Sequence, residues 1–455
     1  MISQPSAPRG LVIAAPRSGS GKTTVTLGLL AALRRRGVAV QPFKTGPDYL
    51  DTGHHERAAG RASYNLDTWA MPQDLIAGLV AEAAADAELC VVEGVMGLFD
   101  GAAGQGLSGN GSTADLAALL GWPVVLVLDV AGQTETAAAV ALGCARYRSD
   151  LRIASVILNQ VASDRHLDLI RTGLERVGLP LLGALRRNAG IRLPERHLGL
   201  VQANEHADYG ARMDALAETI EASIDLDALV AAAEPCGQAL PSAGAFKGAL
   251  RPPGQRIALA RDDAFSFTYA HVLACWRASG AEIFPFSPLN DEEARADADA
   301  VWLPGGYPEL HAGQIANAAR FMSSLRCHAG AGVPIHGECG GFMVLGEGLE
   351  DAEGNRHAMV GLLKAETSFR SRKLHLGYRR GVLRSDCALG RKGTALYGHE
   401  FHYATLVSDT GEPLLDGVDA TGAAHVMGSR AGSVSGSFFH VLSAASGSLK
   451  SGCHS

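Results

Sequence analysis

A single cysteine stands where an apolar strand is predicted to turn sharply into a helix. The stretch PIHGECGGFMVLG, residues 334–346, places Cys339 among glycines, which tolerate the strained backbone of such a turn. A side chain on a strand-to-helix elbow points outward, where a thiolate can attack a carbonyl group. The spacing therefore predicts that Cys339 is a nucleophile; a small buried residue in a glycine-rich turn is the alternative.

A cysteine nucleophile needs a base that accepts the proton of its thiol. The candidate is His440 in SGSFFHVLSA, which follows a Gly/Ser turn and two phenylalanines near the end of the chain. By residue type alone, His336, His399 and His402 are open alternatives among the 16 histidines.

The tetrahedral intermediate of such a reaction needs donors for its oxyanion. Upstream of the cysteine, WLPGGYPEL closes a predicted strand with Gly305 and Gly306. Backbone N–H groups in a turn of this kind can point at developing negative charge. We expect an oxyanion hole formed by the N–H groups of Gly306 and of Gly340, the residue after the cysteine.

A second chemical motif follows the first predicted strand. The stretch APRSGSGKTT matches a phosphate-binding loop, except that Pro16 stands in place of the first glycine of the pattern. In such a loop, backbone N–H groups surround phosphate oxygens, the lysine reaches the β- and γ-phosphates, and the following hydroxyl binds magnesium. The residues predicted to bind ATP are Gly19, Ser20, Gly21, Lys22, Thr23 and Thr24.

Two acidic residues after predicted strands could complete a magnesium site. Asp48 lies in FKTGPDYLD, and Glu93 lies in VVEGVMGLFDG at the end of a strongly apolar strand. Ligand sites in open α/β sheets lie beyond the carboxyl ends of the strands. Together with the hydroxyl of Thr23 and phosphate oxygens, these carboxylates would give Mg²⁺ the oxygen ligands that it prefers. Acids that merely solvate loop ends are the alternative.

Apolar runs that alternate with helical runs predict how these motifs are positioned. LVIAAP, LCVVEGV and PVVLVLDV are separated by helical stretches such as VTLGLLAALRRRG. Strands that are apolar throughout imply a parallel sheet covered on both faces. A stretch rich in Pro, Gly, Ala and Ser interrupts the pattern, and a second alternating series follows. We expect an α/β protein with a P-loop ATP-dependent domain at 1–235, a linker at 236–253 and a second α/β domain at 254–455.

Composition limits the possible partners and the compartment. The 455 residues exceed what one core usually holds, and the net charge of −7 disfavours nucleic acid as a partner. The eight cysteines show no CxxC pair, which disfavours a zinc site or a disulfide framework and favours a reducing compartment. Without a signal-peptide pattern or a long uncharged apolar run, the sequence predicts a cytoplasmic protein that does not enter the membrane.

The motifs taken together resemble known families. LPGGYPE, HGECGGFMVLG and SGSFFH resemble the glutaminase domain of class I glutamine amidotransferases, which has a flavodoxin-like α/β fold. APRSGSGKTT, FKTGPDYLD, NLDTWAM, EGVMGLFDG and LPERHLGLV resemble the ATP-dependent domain of dethiobiotin synthetase-like enzymes. With ARDDAF, GLLKAETSF and GHEFHYA, nearly the whole chain resembles the cobyrinate and hydrogenobyrinate a,c-diamide synthases of cobalamin biosynthesis.

This resemblance implies a ligase that amidates the a and c acetate carboxylates of hydrogenobyrinic or cobyrinic acid through an acyl phosphate, using ATP, Mg²⁺ and glutamine. It implies that Cys339 forms a glutamyl thioester and that His440 is the base. Many class I amidotransferases carry a glutamate two residues after this histidine, where this chain has Leu442. The group that orients the histidine therefore stays open. A homodimer is also implied.

The resemblance further assigns residues to the corrinoid substrate. Tyr49, Asp51 and Asp100 would face the substrate or the acyl phosphate. A corrinoid with several carboxylates is strongly anionic, and the protein is itself acidic, so a local positive field is needed. We expect Arg370 and Arg372, in TSFRSRKLHLGYRR, to supply it; an ordinary solvated face is the alternative.

Two other functions compete with this hypothesis. A related tetrapyrrole amidase, of the cobyric acid synthase or nickel-sirohydrochlorin a,c-diamide synthase type, would use the same two domains. A P-loop switch ATPase with a degenerate glutaminase domain is the second, because the loop lacks its first glycine and the glutamate is missing. The retained cysteine, histidine and PGG turn favour the amidotransferase.

Overall fold

The computed structural model describes residues 7–187, 195–196, 199–200, 208–242 and 244–445. The chain divides into two compact units, Met1–Ala245 and Phe246–Ser455. The division falls inside the segment 236–253, which the sequence predicts to be a linker. Within the described ranges, no helix has the length and apolar character needed to cross a lipid bilayer.

The first unit is an α/β fold in which strands and helices alternate. Its strands are β1 (Arg9–Ala14), β2 (Val40–Thr45), β3 (Tyr64–Leu66), β4 (Leu89–Glu93), β5 (Val124–Asp129), β6 (Ile153–Val161), β7 (Leu181–Arg186), β8 (Glu195–Arg196), β9 (Gly199–Leu200) and β10 (Glu234–Pro235). Its helices are α1 (Lys22–Arg35), α2 (Tyr49–Ala59), α3 (Gln73–Ala83), α4 (Thr113–Leu120), α5 (Thr136–Tyr147), α6 (Asp164–Arg176), α7 (Tyr209–Ser223) and α8 (Leu226–Ala232).

The main sheet of this unit has the strand order β3-β2-β4-β1-β5-β6-β7. These strands are parallel, and β10 adds a short antiparallel pair to β1. Leu11, Val12 and Ile13 of β1 are all fully buried, as expected for a strand covered on both faces. The predicted parallel α/β sheet is therefore confirmed. Because β2, β4 and β1 are neighbours, the residues that follow them meet at one edge of the sheet.

The second unit combines an α/β part with antiparallel strands. Its strands are β11 (Arg256–Ala260), β12 (Glu282–Phe286), β13 (Ala300–Leu303), β14 (Ile335–Glu338), β15 (Gly348–Glu350), β16 (Arg356–Ala358), β17 (Ala365–Ser368), β18 (His375–Leu383), β19 (Ala395–His402), β20 (Thr405–Asp409), β21 (Glu412–Asp419), β22 (Ala424–Ala431), β23 (Val434–Ser437) and β24 (Phe439–Ala445). Its α-helices are α9 (Ala270–Ala278), α10 (Ala312–Asn317), α11 (Ala319–Gly330) and α12 (Gly340–Leu345).

The main sheet of the second unit runs β12-β11-β13-β14-β23-β22-β21-β18-β19-β24. The pairs from β12 to β23 are parallel, and the later pairs are antiparallel. The sequence predicted the α/β part but not the antiparallel extension. Since β14 pairs with β23, and β24 begins two residues after β23 ends, the carboxyl end of β14 lies beside the start of β24.

Candidate active sites

The phosphate-binding loop connects β1 to α1. Gly19 and Gly21 adopt φ angles of 75° and 85°, which favour glycine. A methyl group on Gly21 would lie 2.1 Å from Nδ2 of Asn159, whose amide donates a 2.9 Å hydrogen bond to the carbonyl oxygen of Ser20. The loop is thus held from β6, and α1 directs its N terminus toward the phosphate position. The predicted ATP-binding residues Gly19, Ser20, Gly21, Lys22, Thr23 and Thr24 all lie on this loop or the first turn of α1.

Glu93, at the end of β4, is the centre of a buried polar cluster. Its Oε1 accepts hydrogen bonds from Thr23 Oγ1 at 2.5 Å and from Lys44 Nζ at 3.1 Å. Its Oε2 lies 2.7 Å from Nε2 of His55. Burial alone would raise the pKa of Glu93, but the charge of Lys44 and the hydrogen bond with His55 hold it well below its ordinary range. The carboxylate is therefore ionised and bound from three elements of the fold.

Lys44 joins this cluster to the start of α2. Its side chain is 3% exposed, and its Nζ lies 2.5 Å from Oδ2 of Asp51. Burial opposes its charge, but Asp51 and Glu93 together raise its pKa above the ordinary value. The pKa of the half-buried Lys22 is lowered mainly by burial and then by the charge of Lys44. Two lysines therefore bring positive charge to the phosphate-binding edge.

Asp48 is the N-cap of α2. Its Oδ1 accepts hydrogen bonds from the backbone N–H groups of Leu50 at 2.8 Å and Asp51 at 3.0 Å. Burial and the charge of Asp51 raise the pKa of Asp48 to about 6, although Lys44 opposes them. This carboxylate therefore has a structural task that the sequence motif did not reveal.

The donors predicted for magnesium suit that ion chemically. Thr23 and Glu93 bring a hydroxyl and a carboxylate oxygen together, and Asp48 follows the neighbouring strand β2. Burial and then the charge of Asp51 raise the pKa of Asp48, and a bound cation would oppose both effects. In the part of the chain that the structure describes, no group of three or more His, Cys, Asp or Glu side chains could hold a metal ion. Mg²⁺ would thus depend on phosphate oxygens and waters for its remaining ligands.

The residues predicted for the substrate lie at the same edge. Tyr49 and Asp51 are on the first turn of α2 and are largely buried. Asp100 is exposed, and its Oδ2 accepts a 2.9 Å hydrogen bond from the N–H of Gly97. This turn lies against the phosphate-binding loop, because the N–H of Leu98 donates to the carbonyl oxygen of Ala15 at 2.7 Å.

Sequence reasoning missed three residues of this site, namely Lys44, His55 and Asn159. For Lys44 a signal was present: a lysine in an otherwise apolar, fully buried strand needs charged partners. His55 and Asn159 gave no comparable local signal, since their partners in this site, Glu93 and Ser20, lie 38 and 139 residues away along the chain.

In the second unit, Cys339 forms the predicted elbow between β14 and α12. Its φ of 47° and ψ of −101° are rare for a residue with a side chain. A methyl group on Gly341 would lie 2.0 Å from the carbonyl oxygen of Leu303, so the turn needs that glycine. The N–H of Cys339 donates to the carbonyl oxygen of Ser437 at 2.8 Å. Burial, together with the charge of Glu309, raises the pKa of the thiol above its ordinary value.

His440 lies close to the cysteine across Gly305. A methyl group on Gly305 would lie 2.8 Å from Cε1 of His440 and 3.3 Å from Cβ of Cys339. The imidazole is fully buried, and burial, followed by the charge of His399, lowers its pKa well below the ordinary value. A neutral imidazole next to a thiol can act as a general base.

The alternative bases have other partners. Nδ1 of His336 lies 2.9 Å from Oγ of Ser435, and its ring packs on Trp302. The ring of His402 stacks on a phenylalanine at 3.8 Å between centroids. Nε2 of His399 lies 2.5 Å from the hydroxyl of a tyrosine, and its ring stacks on that of His440. The geometry favours His440 as the base.

No carboxylate follows His440 at the position of Leu442, which is fully buried. Instead, Oε1 of Glu338, the residue before the cysteine, accepts a 3.0 Å hydrogen bond from the N–H of Val441. Glu338 is 4% exposed, and burial raises its pKa to about 8. This contact ties the strand of the histidine to the strand of the cysteine.

The two predicted oxyanion donors lie next to each other. A methyl group on Gly340 would lie 3.0 Å from the backbone nitrogen of Gly306. The N–H of Gly341 donates to the carbonyl oxygen of Pro304 at 3.1 Å, which fixes the PGG turn against the cysteine elbow. The backbone nitrogens of Gly306 and Gly340 therefore lie side by side at the cysteine elbow, and their role as oxyanion donors stays a prediction.

Arg370 and Arg372 lie in the exposed segment between β17 and β18 of the second unit. Arg370 is 3.9 Å from a carboxylate oxygen of Glu350 and is mostly solvated. Burial raises the pKa of Glu309, which lies beside Cys339, and the charge of Arg372 opposes that shift. Their assignment to the corrinoid stays a prediction.

Comparisons with known proteins match each of the two units to a family. The CobQ/CobB/MinD/ParA nucleotide binding domain matches residues 11–201, and the CobB/CobQ-like glutamine amidotransferase domain matches residues 256–447. A hydrogenobyrinate a,c-diamide synthase from Mesorhizobium japonicum is 54% identical, over 96% of this chain and 99% of that protein. One from Rhodobacter capsulatus is 55% identical, also over 96% and 99%.

Similarity to solved structures is weaker. A structure of PurLQS from Thermotoga maritima aligns with a TM-score of 0.31 and 20% identity, over 41% of this chain and 87% of that chain. A second, titled as a glutamine amidotransferase, gives a TM-score of 0.29 over 41% and 90% of the two chains, also at 20% identity. At these scores the alignments support no conclusion of their own.

Proposed function

Because the chain belongs to the family of hydrogenobyrinate a,c-diamide synthases, we propose that it amidates the a and c acetate carboxylates of hydrogenobyrinic acid. Glutamine supplies the nitrogen and ATP drives the reaction, which is a ligase step of cobalamin biosynthesis. Each unit carries one half of the chemistry.

The first unit activates the carboxylate. A carboxylate is a poor acyl donor, so its oxygen attacks the γ-phosphate of ATP to give an acyl phosphate, which ammonia then converts to the amide. Lys22 and Lys44 bring positive charge to the transferred phosphoryl group. Tyr49, Asp51 and Asp100 face the corrinoid. Thr23, Asp48 and Glu93 would hold Mg²⁺, which neutralises phosphate charge when bound.

The second unit releases ammonia from glutamine. Burial keeps both the thiol of Cys339 and the imidazole of His440 neutral in the free site. His440 therefore takes the thiol proton as the sulfur attacks the amide carbon, and the N–H groups of Gly306 and Gly340 stabilise the oxyanion. The imidazolium then protonates the departing ammonia, and water hydrolyses the thioester.

The observation that carries this proposal is the close approach of Cys339 and His440 on either side of Gly305, in a chain that also carries a phosphate-binding loop. The cluster of Thr23, Lys44 and Glu93 supports the second activity in the same chain. The proposal includes Mg²⁺, a homodimer and a cytoplasmic location, where ATP is present and thiols stay reduced.

Mass spectrometry of tetrapyrrole acids tests the proposal. Hydrogenobyrinic acid and cobyrinic acid are incubated separately with the protein, Mg-ATP and glutamine. We expect two successive acid-to-amide conversions of hydrogenobyrinic acid. Conversion of cobyrinic acid alone would show that the substrate ring contains cobalt. Conversion of neither acid, with ATP hydrolysis intact, would favour another tetrapyrrole acid as the substrate or a switch ATPase.

Variants separate the two half-reactions. Cys339→Ala should abolish glutamine-dependent amidation but leave amidation with added ammonium unchanged. Cys327→Ala, the same substitution at an exposed cysteine of the same unit, should leave both reactions unchanged. Loss of the ammonium reaction in Cys339→Ala, or retention of the glutamine reaction, would contradict the assigned roles.

A further inference from the structure

A partly buried glutamate beside the nucleophile has no task in the reaction described above. Glu309 lies on the short helical turn Pro308–Leu310, shortly after the PGG turn. Its Oε2 is buried and has no hydrogen-bond partner among the described residues. A buried carboxylate oxygen without a protein partner costs free energy unless water or a ligand supplies the hydrogen bond.

The turn of Glu309 packs directly on the cysteine elbow. A methyl group on Gly340 would lie 2.9 Å from Cδ of Pro308. After burial, the charge of Glu309 is the largest influence that raises the pKa of the Cys339 thiol. The carboxylate is therefore close enough to act on whatever binds at the sulfur.

Glu400, the other nearby carboxylate outside the elbow itself, is already neutralised. It also raises the pKa of Cys339, but its Oε2 accepts hydrogen bonds from Nε and Nη2 of Arg379 at 3.0 and 2.9 Å. Arg372 acts on Glu309 only through its charge and is itself exposed. Among the described residues, Glu309 thus forms no ion pair, in contrast to Glu400.

Glutamine brings the matching group. Its side-chain amide reacts at the sulfur, and its α-ammonium group is a cation that an ionised carboxylate binds through charge-assisted hydrogen bonds. We propose that Glu309 binds the α-ammonium group of glutamine and so makes the site specific for an α-amino acid amide. This inference rests on the glutaminase activity proposed above.

The electrostatics of Glu309 agree with this role. Burial raises its pKa to about 7, against the opposing charge of Arg372. Without ligand, the neutral and ionised forms of the Glu309 carboxyl group are therefore both present near neutral pH. An ammonium group in contact would favour the ionised form, so that binding completes an ion pair.

The test compares glutamine with glutaramate, which has the same amide but lacks the α-ammonium group. For Glu309→Gln we expect kcat/KM for glutamine to fall about 10- to 100-fold, the effect of losing one charge-assisted hydrogen bond. The loss should appear mainly in KM, while kcat/KM for glutaramate stays within about twofold. The preference for glutamine is a ratio measured on one preparation, so it does not depend on the folded fraction.

Glu400→Gln is the matched control and should keep the preference of the unaltered protein. Ammonium-driven amidation should be unchanged in both variants. An unchanged preference in Glu309→Gln, an equal loss for both substrates, or a loss of preference in Glu400→Gln instead would each overturn the inference. If the unaltered protein hydrolysed no glutamine, the proposed function itself would fail.

Discussion

Gly305 offers the sharpest test of the glutaminase site, because its missing side chain leaves the space between base and nucleophile. In Gly305→Ala the new methyl group would lie 2.8 Å from Cε1 of His440 and 3.3 Å from the Cβ atoms of Cys339 and Phe267. Carbon atoms pack best at about 3.5 to 4.0 Å, so the imidazole must retreat by roughly 1 Å. A misplacement of about 1 Å can cost on the order of 100-fold in rate.

The assay follows glutamate release from glutamine and, separately, amidation driven by ammonium. We expect the first rate to fall about 100-fold in Gly305→Ala and the second to be unchanged. Gly330→Ala is the matched control, since a methyl group on this exposed residue at the end of α11 meets no atom within 4 Å. Glutamine hydrolysis at the original rate in Gly305→Ala would refute the placement of His440 beside Cys339.

Two further predictions concern buried ionisable groups. Lys44→Met removes the cation between Asp51 and Glu93, so we expect the free energy of unfolding to fall by about 3 to 5 kcal/mol. Amidation should be lost with either nitrogen source, while glutamine hydrolysis persists. Amidation at the original rate would contradict this prediction. Glu338→Gln tests how stability depends on pH. Because burial raises the pKa of Glu338 from 4.5 to about 8, the folded protein binds this proton more tightly than the unfolded chain does. The free energy of unfolding of the unaltered protein therefore falls as the pH rises through that range. Denaturant unfolding at pH 5 and pH 9 should show up to roughly 4 kcal/mol less loss in the glutamine variant. Equal losses in both proteins would contradict the buried position of Glu338.

Local sequence patterns predicted whether a segment is a helix or a strand better than they predicted which segments lie next to each other in the fold. Apolar runs predicted the parallel sheet of the first unit, because a strand buried on both faces leaves a clear pattern in the chain. The partners of Lys44 depend instead on the strand order, which puts β2 beside β4. The antiparallel strands from β18 to β22 escaped prediction because their burial alternates irregularly and their glycines and charges resemble loops.

The same limit applies to the candidate sites. The glycine-rich signatures around Lys22 and Cys339 mark turns that only a few residue types can make, so single stretches were sufficient to find them. Glu309 and Glu338 were not singled out, since a glutamate in a sequence is ordinarily a solvated surface residue. Only the packing of the PGG turn and of β24 against the elbow shows that Glu338 and the Oε2 atom of Glu309 are buried.

The polar cluster around Glu93 also bears on how the protein can change during evolution. This one carboxylate binds a helix through Thr23, a strand through Lys44 and a second helix through His55. A substitution at Glu93 would therefore lower the amount of folded protein as well as the activity, because buried partners would lose their counter-charge. Glu93 is therefore constrained both by folding and by activity. Substitutions that favour a new reaction are more readily accepted at other residues on the same edge of the sheet.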